Sequence, residues 1–238
     1  MTESSARRAV IASAAIALVG AILSGPLGIW LVNATHPQPP WRDAAAFVAA
    51  YHPVQTVPYY LGFLLVGGFV GLITSLHALA PAELRSRTLV AVPLAGAFAA
   101  MIFVNYAVQT TLVPALATGT APEDGLVIGV FTMANPRSVG WALEMWGYAV
   151  LGVATWLVAP AFHGSAIERA TKWLFVANGP VSVVGAVANA ASPGWVMTPA
   201  GLVSFALWNV LVVAMAVMAI ASMRARERAA ERYGGGGP

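Results

Sequence analysis

Apolar residues run along this chain in six unbroken stretches: Ala9 to Val32, Val57 to Ala80, Leu89 to Leu116, Val139 to Ala161, Trp173 to Ala191 and Pro199 to Ser222. Each is close to the ~20 residues that an α-helix needs to cross the hydrocarbon of a bilayer. The strands of a membrane barrel would alternate apolar and polar positions over ~10 residues, and these stretches do not alternate. The pattern predicts an all-α fold, a polytopic six-transmembrane-helix bundle made by residues 1–222 as one domain. A basic, partly disordered tail, residues 223–238, follows it. The first stretch comes after Arg7 and Arg8, as in a secretory signal. It exceeds the ~7–15 residues of a signal core and no small-x-small cleavage site follows, so it reads as a retained signal-anchor.

Small residues and prolines punctuate the stretches. Gly67 and Gly71 form a small-xxx-small pair expected to bring another helix close, and Gly25-Pro26 and Gly179-Pro180 mark kinks or close helix contacts. Two connections are long. Asn33 to Thr56 is expected to hold a short helix over Ala44 to Tyr51, after Trp41-Arg42-Asp43. Ala117 to Ser138 is expected to hold another over Gly125 to Met133, opened by Pro122-Glu123-Asp124 where a helix dipole favours acids. Function is expected on this elaborated side.

Charge sets the orientation. Arg7, Arg8, Arg85, Arg87, Arg169, Lys172, Arg224, Arg226, Arg228 and Arg232 fall on one side of the stretches, and only Arg42 and Arg137 on the other. The positive-inside rule then predicts that both termini are cytoplasmic. Eleven of the twelve basic residues are arginine, a bias that fits a GC-rich bacterial genome and hence a bacterial plasma membrane. The net charge of +3 follows from these loops and does not call for a nucleic-acid partner.

Composition narrows the chemistry. Of the 238 residues 59% are hydrophobic and 9% charged, against about 25% charged in a soluble domain. The absence of cysteine excludes disulfides, zinc thiolate sites, iron–sulfur clusters and thiol nucleophiles. No phosphate-binding loop and no nucleophile-elbow motif occurs. The four histidines, His36, His52, His77 and His163, lie at stretch ends or in loops without helical i,i+4 pairing, so neither haem nor an intramembrane metal is expected. Only His36, His52 and Asp43 would be able to meet outside. The expectation is no cofactor and no metal.

One charge stands within a stretch, and an ionisable residue there is a functional hypothesis by default. Asn135 as N-cap and Pro136 at the first helical position would start the fourth helix, placing Glu144 ~12 Å inside it. Its helical face reads Arg137, Trp141, Glu144, Tyr148, Gly152, Thr155, a polar and aromatic stripe that should face the bundle. Alternating topology brings other polar groups to the same depth: Asn105 and Gln109 one turn apart in the third stretch, Tyr59 and Tyr60 at the start of the second, and Asn189 near the end of the fifth. The expectation is an outward-opening polar pocket centred on Glu144, with Asn105, Gln109, Trp141, Tyr148, Tyr59, Tyr60 and Asn189 as ligand-binding residues. Two structural readings stand against it. Glu144 would pair with Arg137, or Asn105 and Gln109 would only glue helices together. The seam of Asn178, Ser182, Gly185 and Asn189 in the fifth stretch reads first as packing.

Three roles follow. In the first, the protein binds or transports a small amphipathic molecule, with Glu144 as a proton-coupled or cation-binding group. In the second, it is a membrane-embedded isomerase or cyclase of a lipophilic substrate, with Glu144 as general acid. In the third, it is a non-catalytic accessory subunit. The bilayer is the expected partner in all three, and homo-oligomerisation is left open.

Overall fold

A computed structural model describes residues 2–119 and 124–234, the side chains of 233 and 234 excepted. It is all-helical, 87% helix, with no strand among the described residues. Six helices are long and apolar enough to cross a membrane: α1 (Glu3–Thr35), α3 (Pro53–Leu79), α4 (Ala82–Ala117), α6 (Val139–Ala161), α7 (Ala166–Ala191) and α8 (Pro199–Gly234). Two short helices, α2 (Ala44–Ala50) and α5 (Asp124–Phe131), sit in the long connections where they were expected. Pro122 and Glu123, expected to open the second of these, lie outside the described residues, as do residues 235–238 of the tail.

The long helices run past most of the apolar stretches because polar turns cap them. Thr2 accepts the Ser5 amide at 3.2 Å and starts α1 six residues before Ala9. Ser165 and Glu168 form a reciprocal capping box that starts α7 seven residues before Trp173. At the other end of the chain α8 continues unbroken beyond Ser222 to Gly234.

Successive long helices are antiparallel and packed side by side, and α8 returns against α1, so the six close into a ring. One end of the ring carries both chain ends and the short α3–α4 and α6–α7 turns. The other carries the two long connections and is called here the loop end. Glycines set the α1–α3 contact. A side chain at Gly68 would meet the Ala17 backbone, with Cα at 2.6 Å, and one at Gly20 would lie 2.7 Å from the Leu65 Cα. Gly71 faces Ser13 in the same seam, but Gly67 is exposed with open space before it. The expected Gly67/Gly71 pair is therefore replaced by Gly68 and Gly71, because both α3 faces at this level carry glycine and spacing alone does not say which meets α1. Gly25-Pro26 does kink α1: Gly25 leaves helical geometry at ψ −106° inside a π-turn, Leu23–Leu27. Gly179, in contrast, is a close contact. A Cβ there would lie 3.3 Å from the Gly152 carbonyl of α6.

The two halves of the ring differ. Toward the chain ends the interior is filled by Phe69, Leu72, Leu76, Leu151, Met215 and Met223, none of them exposed. A charge pair closes the same end. Arg226 of α8 pairs with Glu168 of α7 and also donates to the Ala161 carbonyl at 2.8 Å. Arg226 thus belongs to the bundle as well as to the basic stretch, and removing either partner of such a buried pair costs about 3–5 kcal/mol. Toward the loop end α8 loosens. Leu202, Val203, Phe205, Leu207 and Val210 are exposed, while Val212, Met215, Ala216 and Ala219 are buried.

The glycine seam has a direct test. Gly68→Leu is expected to lower stability by about 3 kcal/mol or more, because backbone must move to admit the side chain, while Gly67→Leu stays within about 0.5 kcal/mol. Thermal unfolding of the two variants in the same detergent measures the difference.

Candidate functional site

The segment that leads into α6 is folded differently from expectation. The N-cap of α6 is Ser138, whose hydroxyl accepts the Trp141 amide at 3.3 Å. Asn135 instead stays in a turn: its side-chain oxygen accepts from the Arg137 amide at 3.0 Å, and its amide donates to the Gly129 carbonyl at 2.6 Å. An Asn that satisfies its own turn in this way is held out of the helix. Two consequences follow. Glu144 is the sixth residue of α6, some ~9 Å along it and not ~12 Å. Arg137 precedes the helix, is exposed, and makes no ion pair with Glu144; the ion pairs among the described residues are Arg7–Glu3 and Arg226–Glu168.

Glu144 takes two donors from α4. Asn105 Nδ2 donates to Oε2 at 2.9 Å, and the Tyr106 hydroxyl donates to Oε1 at 3.1 Å. The Tyr106 hydroxyl also lies 3.4 Å from that of Tyr148. Aromatic rings continue from there. Tyr59 of α3 lies against Tyr106 with centroids 5.6 Å apart, and Tyr148 meets Trp208 of α8 edge to face at 4.6 Å. The Tyr148–Trp208 contact crosses the interior, since α6 and α8 are not neighbours in the ring. Trp208 is itself held by α7, its indole N–H donating to Asn178 Oδ1 at 3.1 Å and to Ser182 Oγ at 3.2 Å. Glu144, Tyr59, Tyr148, Trp208 and Asn209 are only half-buried, in contrast to the fully buried plug beneath them.

The Glu144 stripe divides by task. Trp141 spends its indole N–H on the Met133 carbonyl at 2.8 Å, Glu144 and Tyr148 meet the centre, and Gly152 and Thr155 pack on α7, where Asn178 donates to Thr155 Oγ1 at 3.0 Å. Gln109 holds the connecting segment. Its amide nitrogen donates to the Phe131 carbonyl at 2.8 Å and to Asn105 Oδ1 at 3.2 Å, and its oxygen accepts the Met133 amide at 3.1 Å. Asn105 is equally committed, with Glu144 and the Met133 sulfur, at 3.2 Å, on its nitrogen. Both N–H groups of each amide are thus used within the protein.

The remaining expected residues separate. Tyr60 is 55% exposed and donates to the Thr110 carbonyl at 3.3 Å on the outside of the ring, so Tyr59 is the tyrosine of the pair that enters the interior. Asn189 is 9% exposed, on the α7 face shared with Asn178 and Ser182, and its Oδ1 has no hydrogen-bond partner. His36 and His52 do come together, stacked at 3.4 Å with planes 5° apart, while Asp43 caps α2 through the Ala46 amide. No group of three His, Asp or Glu side chains suited to a metal occurs among the described residues.

Three members were missed in the sequence: Tyr106, Trp208 and Met133. Tyr106 left a usable signal. A tyrosine within an apolar stretch needs a partner for its hydroxyl when buried, and it is adjacent to Asn105. Trp208 and Met133 left none, since their contacts come from helices and a loop distant in sequence.

Gln109→Leu is expected to strand the Phe131 carbonyl and the Met133 amide and to cost about 2 kcal/mol or more. Tyr60→Phe is expected to stay within about 0.5 kcal/mol. Melting temperatures of the two variants, compared with the unaltered chain, separate these outcomes. No protein family, curated protein or solved structure matches the chain.

Proposed function

We propose that the chain is a multi-pass protein of the bacterial plasma membrane that binds and carries a small amphipathic molecule, coupled to a proton, in an outward-facing site around Glu144. Both termini are cytoplasmic in this reading, and the loop end faces out. The observation that carries it is the state of Glu144. A half-buried carboxylate is held by two neutral donors, Asn105 and Tyr106, with no basic partner among the described residues, above an apolar plug. A purely structural acid inside a bundle would be expected to take a cation, as Glu168 takes Arg226. Tyr59, Tyr148 and Trp208 supply the apolar walls of the site. Asn105 and Gln109 act as positioning residues, and Trp141 and Asn189 stand nearer its mouth.

Carriage is favoured over catalysis by the neighbours of the carboxylate. An isomerase or cyclase with Glu144 as general acid also needs a base to collect the proton. The groups bonded to Glu144 are an amide and a phenol that already serve it as donors.

Two measurements test the reading. The orientation is accessible because the chain contains no cysteine. A cysteine at exposed Gln38 is expected to react with a membrane-impermeant maleimide in intact cells, and one at exposed Ser86 only after lysis; the reverse pattern overturns the topology. In proteoliposomes with an imposed pH gradient, anionic, neutral and cationic amphiphiles are offered in turn. The unaltered protein is expected to couple the flux of at least one class to proton movement, and Glu144→Gln to abolish that coupling at nearly unchanged folded yield. A collapse in folded yield instead assigns Glu144 a structural role.

A further inference from the structure

Resting on the reading above, the polarity of the site points to one class of ligand. An ionised carboxylate offers about four lone-pair positions, and Glu144 has two donors. The N–H groups of the residues that hold it are committed: both on Asn105, both on Gln109, and the indole N–H groups of Trp141 and Trp208. The buried side-chain atom left without a partner on the α7 side is the Asn189 oxygen, again an acceptor. Glu144 itself therefore keeps spare accepting capacity and has no basic partner among the described residues. An anionic ligand would be repelled by the ionised carboxylate, whereas a cation finds that carboxylate and the faces of aromatic rings.

The rings fit the same ligand. Trp208 is fixed through its N–H, and Tyr148 stands against it edge to face. Tyr59 brings a third ring, packed against Tyr106. Aromatic faces around a carboxylate attract an alkylated or arylated cation both by dispersion and by the ring quadrupole. The titratable groups beside Glu144 are the phenols of Tyr59, Tyr106 and Tyr148; α7 and α8 bring neutral groups, Asn189 and Trp208, and exposed Arg137 lies in the connecting segment. With no basic side chain paired to it among the described residues, the carboxylate is neutralised either by a proton or by a ligand cation.

We propose that Glu144, with the rings of Tyr59, Tyr148 and Trp208, binds a lipophilic monovalent cation, a protonated amine or quaternary onium ion with an apolar body, in direct competition with a proton. Binding of the cation then releases the proton that Glu144 carried, and one carboxylate shared in this way exchanges the two across the membrane.

The test uses three probes of similar shape and different charge: tetraphenylphosphonium, triphenylphosphine oxide and tetraphenylborate. The full chain is placed in nanodiscs of zwitterionic lipid, and binding is followed by calorimetry. Tetraphenylphosphonium is expected to bind saturably, with affinity falling about tenfold per pH unit over the acidic range where one proton is displaced. Titrations in two buffers of different ionisation enthalpy should show proton release approaching one per cation in that range, a readout that needs no variant. Glu144→Gln is expected to lose saturable binding, and Trp208→Leu to weaken it more than Trp208→Phe. Equal binding by the unaltered chain and Glu144→Gln, or binding without proton release at any pH, overturns the proposal. If the neutral or anionic probe binds saturably and the cation does not, the ligand class is wrong while the amphiphile-binding reading survives. If none of the three binds, and no amphiphile is carried in the proteoliposome experiment, both fail.

Discussion

A carboxylate placed among apolar helices has to be supplied with hydrogen-bond donors by its own fold, since neither lipid nor a packed interior offers any. Most of the loop-end half of this protein follows from meeting that demand at Glu144. Asn105 and Tyr106 meet it directly from α4. Asn105 is turned toward the carboxylate by Gln109, and Gln109 also takes up the backbone of residues 131–133. That segment leaves helical geometry beside the bundle, and its peptide groups are paired by the side chains of Gln109 and Trp141, while Asn135 takes the Gly129 carbonyl just before it. The carboxylate, the amide pair and the connecting segment form one continuous polar structure. Disturbing any member leaves another one unpaired.

The opposite half of the ring is built on other physics. Its interior is largely dispersion-packed aromatic and aliphatic side chains, closed by the ion pair between Glu168 and Arg226. The change of regime along the ring axis coincides with two departures from regular helix. The α1 kink at Gly25 lies against Asn209 of α8, and a π-turn, Val108–Leu112, follows Tyr106 in α4. Glu144, Tyr148, Trp208 and Asn209 in the loop-end half are partly buried, where the plug is fully buried. A ligand site requires that asymmetry, because a uniformly packed bundle would have no half-buried groups to offer.

Different features were legible in the sequence to different degrees. The six helices were, because length and continuous apolarity are local properties; α6 begins and ends where its apolar run does. The true ends of α1 and α7 were less so, since capping by Thr2 and by Ser165 with Glu168 extends a helix through polar turns that hydropathy does not register. Helix topology brought Asn105, Gln109, Glu144, Tyr148, Tyr59 or Tyr60 and Asn189 to one level, and hydrogen bonds and ring contacts through Tyr106 join the first four with Tyr59. It did not separate Tyr59 from Tyr60, adjacent residues that project about 100° apart on a helix, one inward and one out. Nor did it separate Gly67 from Gly68, or foresee that Asn135 would spend its side chain in a turn and leave the cap to Ser138.

What the sequence determined alone was every property that depends on neighbours within a few turns: the number of long helices, their approximate ends, the short helices in the connections, and the single acid within an apolar run. What only the tertiary structure decided was which groups meet. The donors to Glu144 come from a helix some forty residues away, and the ring set against Tyr148 comes from Trp208 on the last helix. The reason is that an amphipathic or polar position specifies a need, for burial or for a partner, without specifying who satisfies it. Partners are chosen by the order of helices around the ring and by the rotation of each helix about its axis. Those are set by all the contacts at once, and no local pattern carries them.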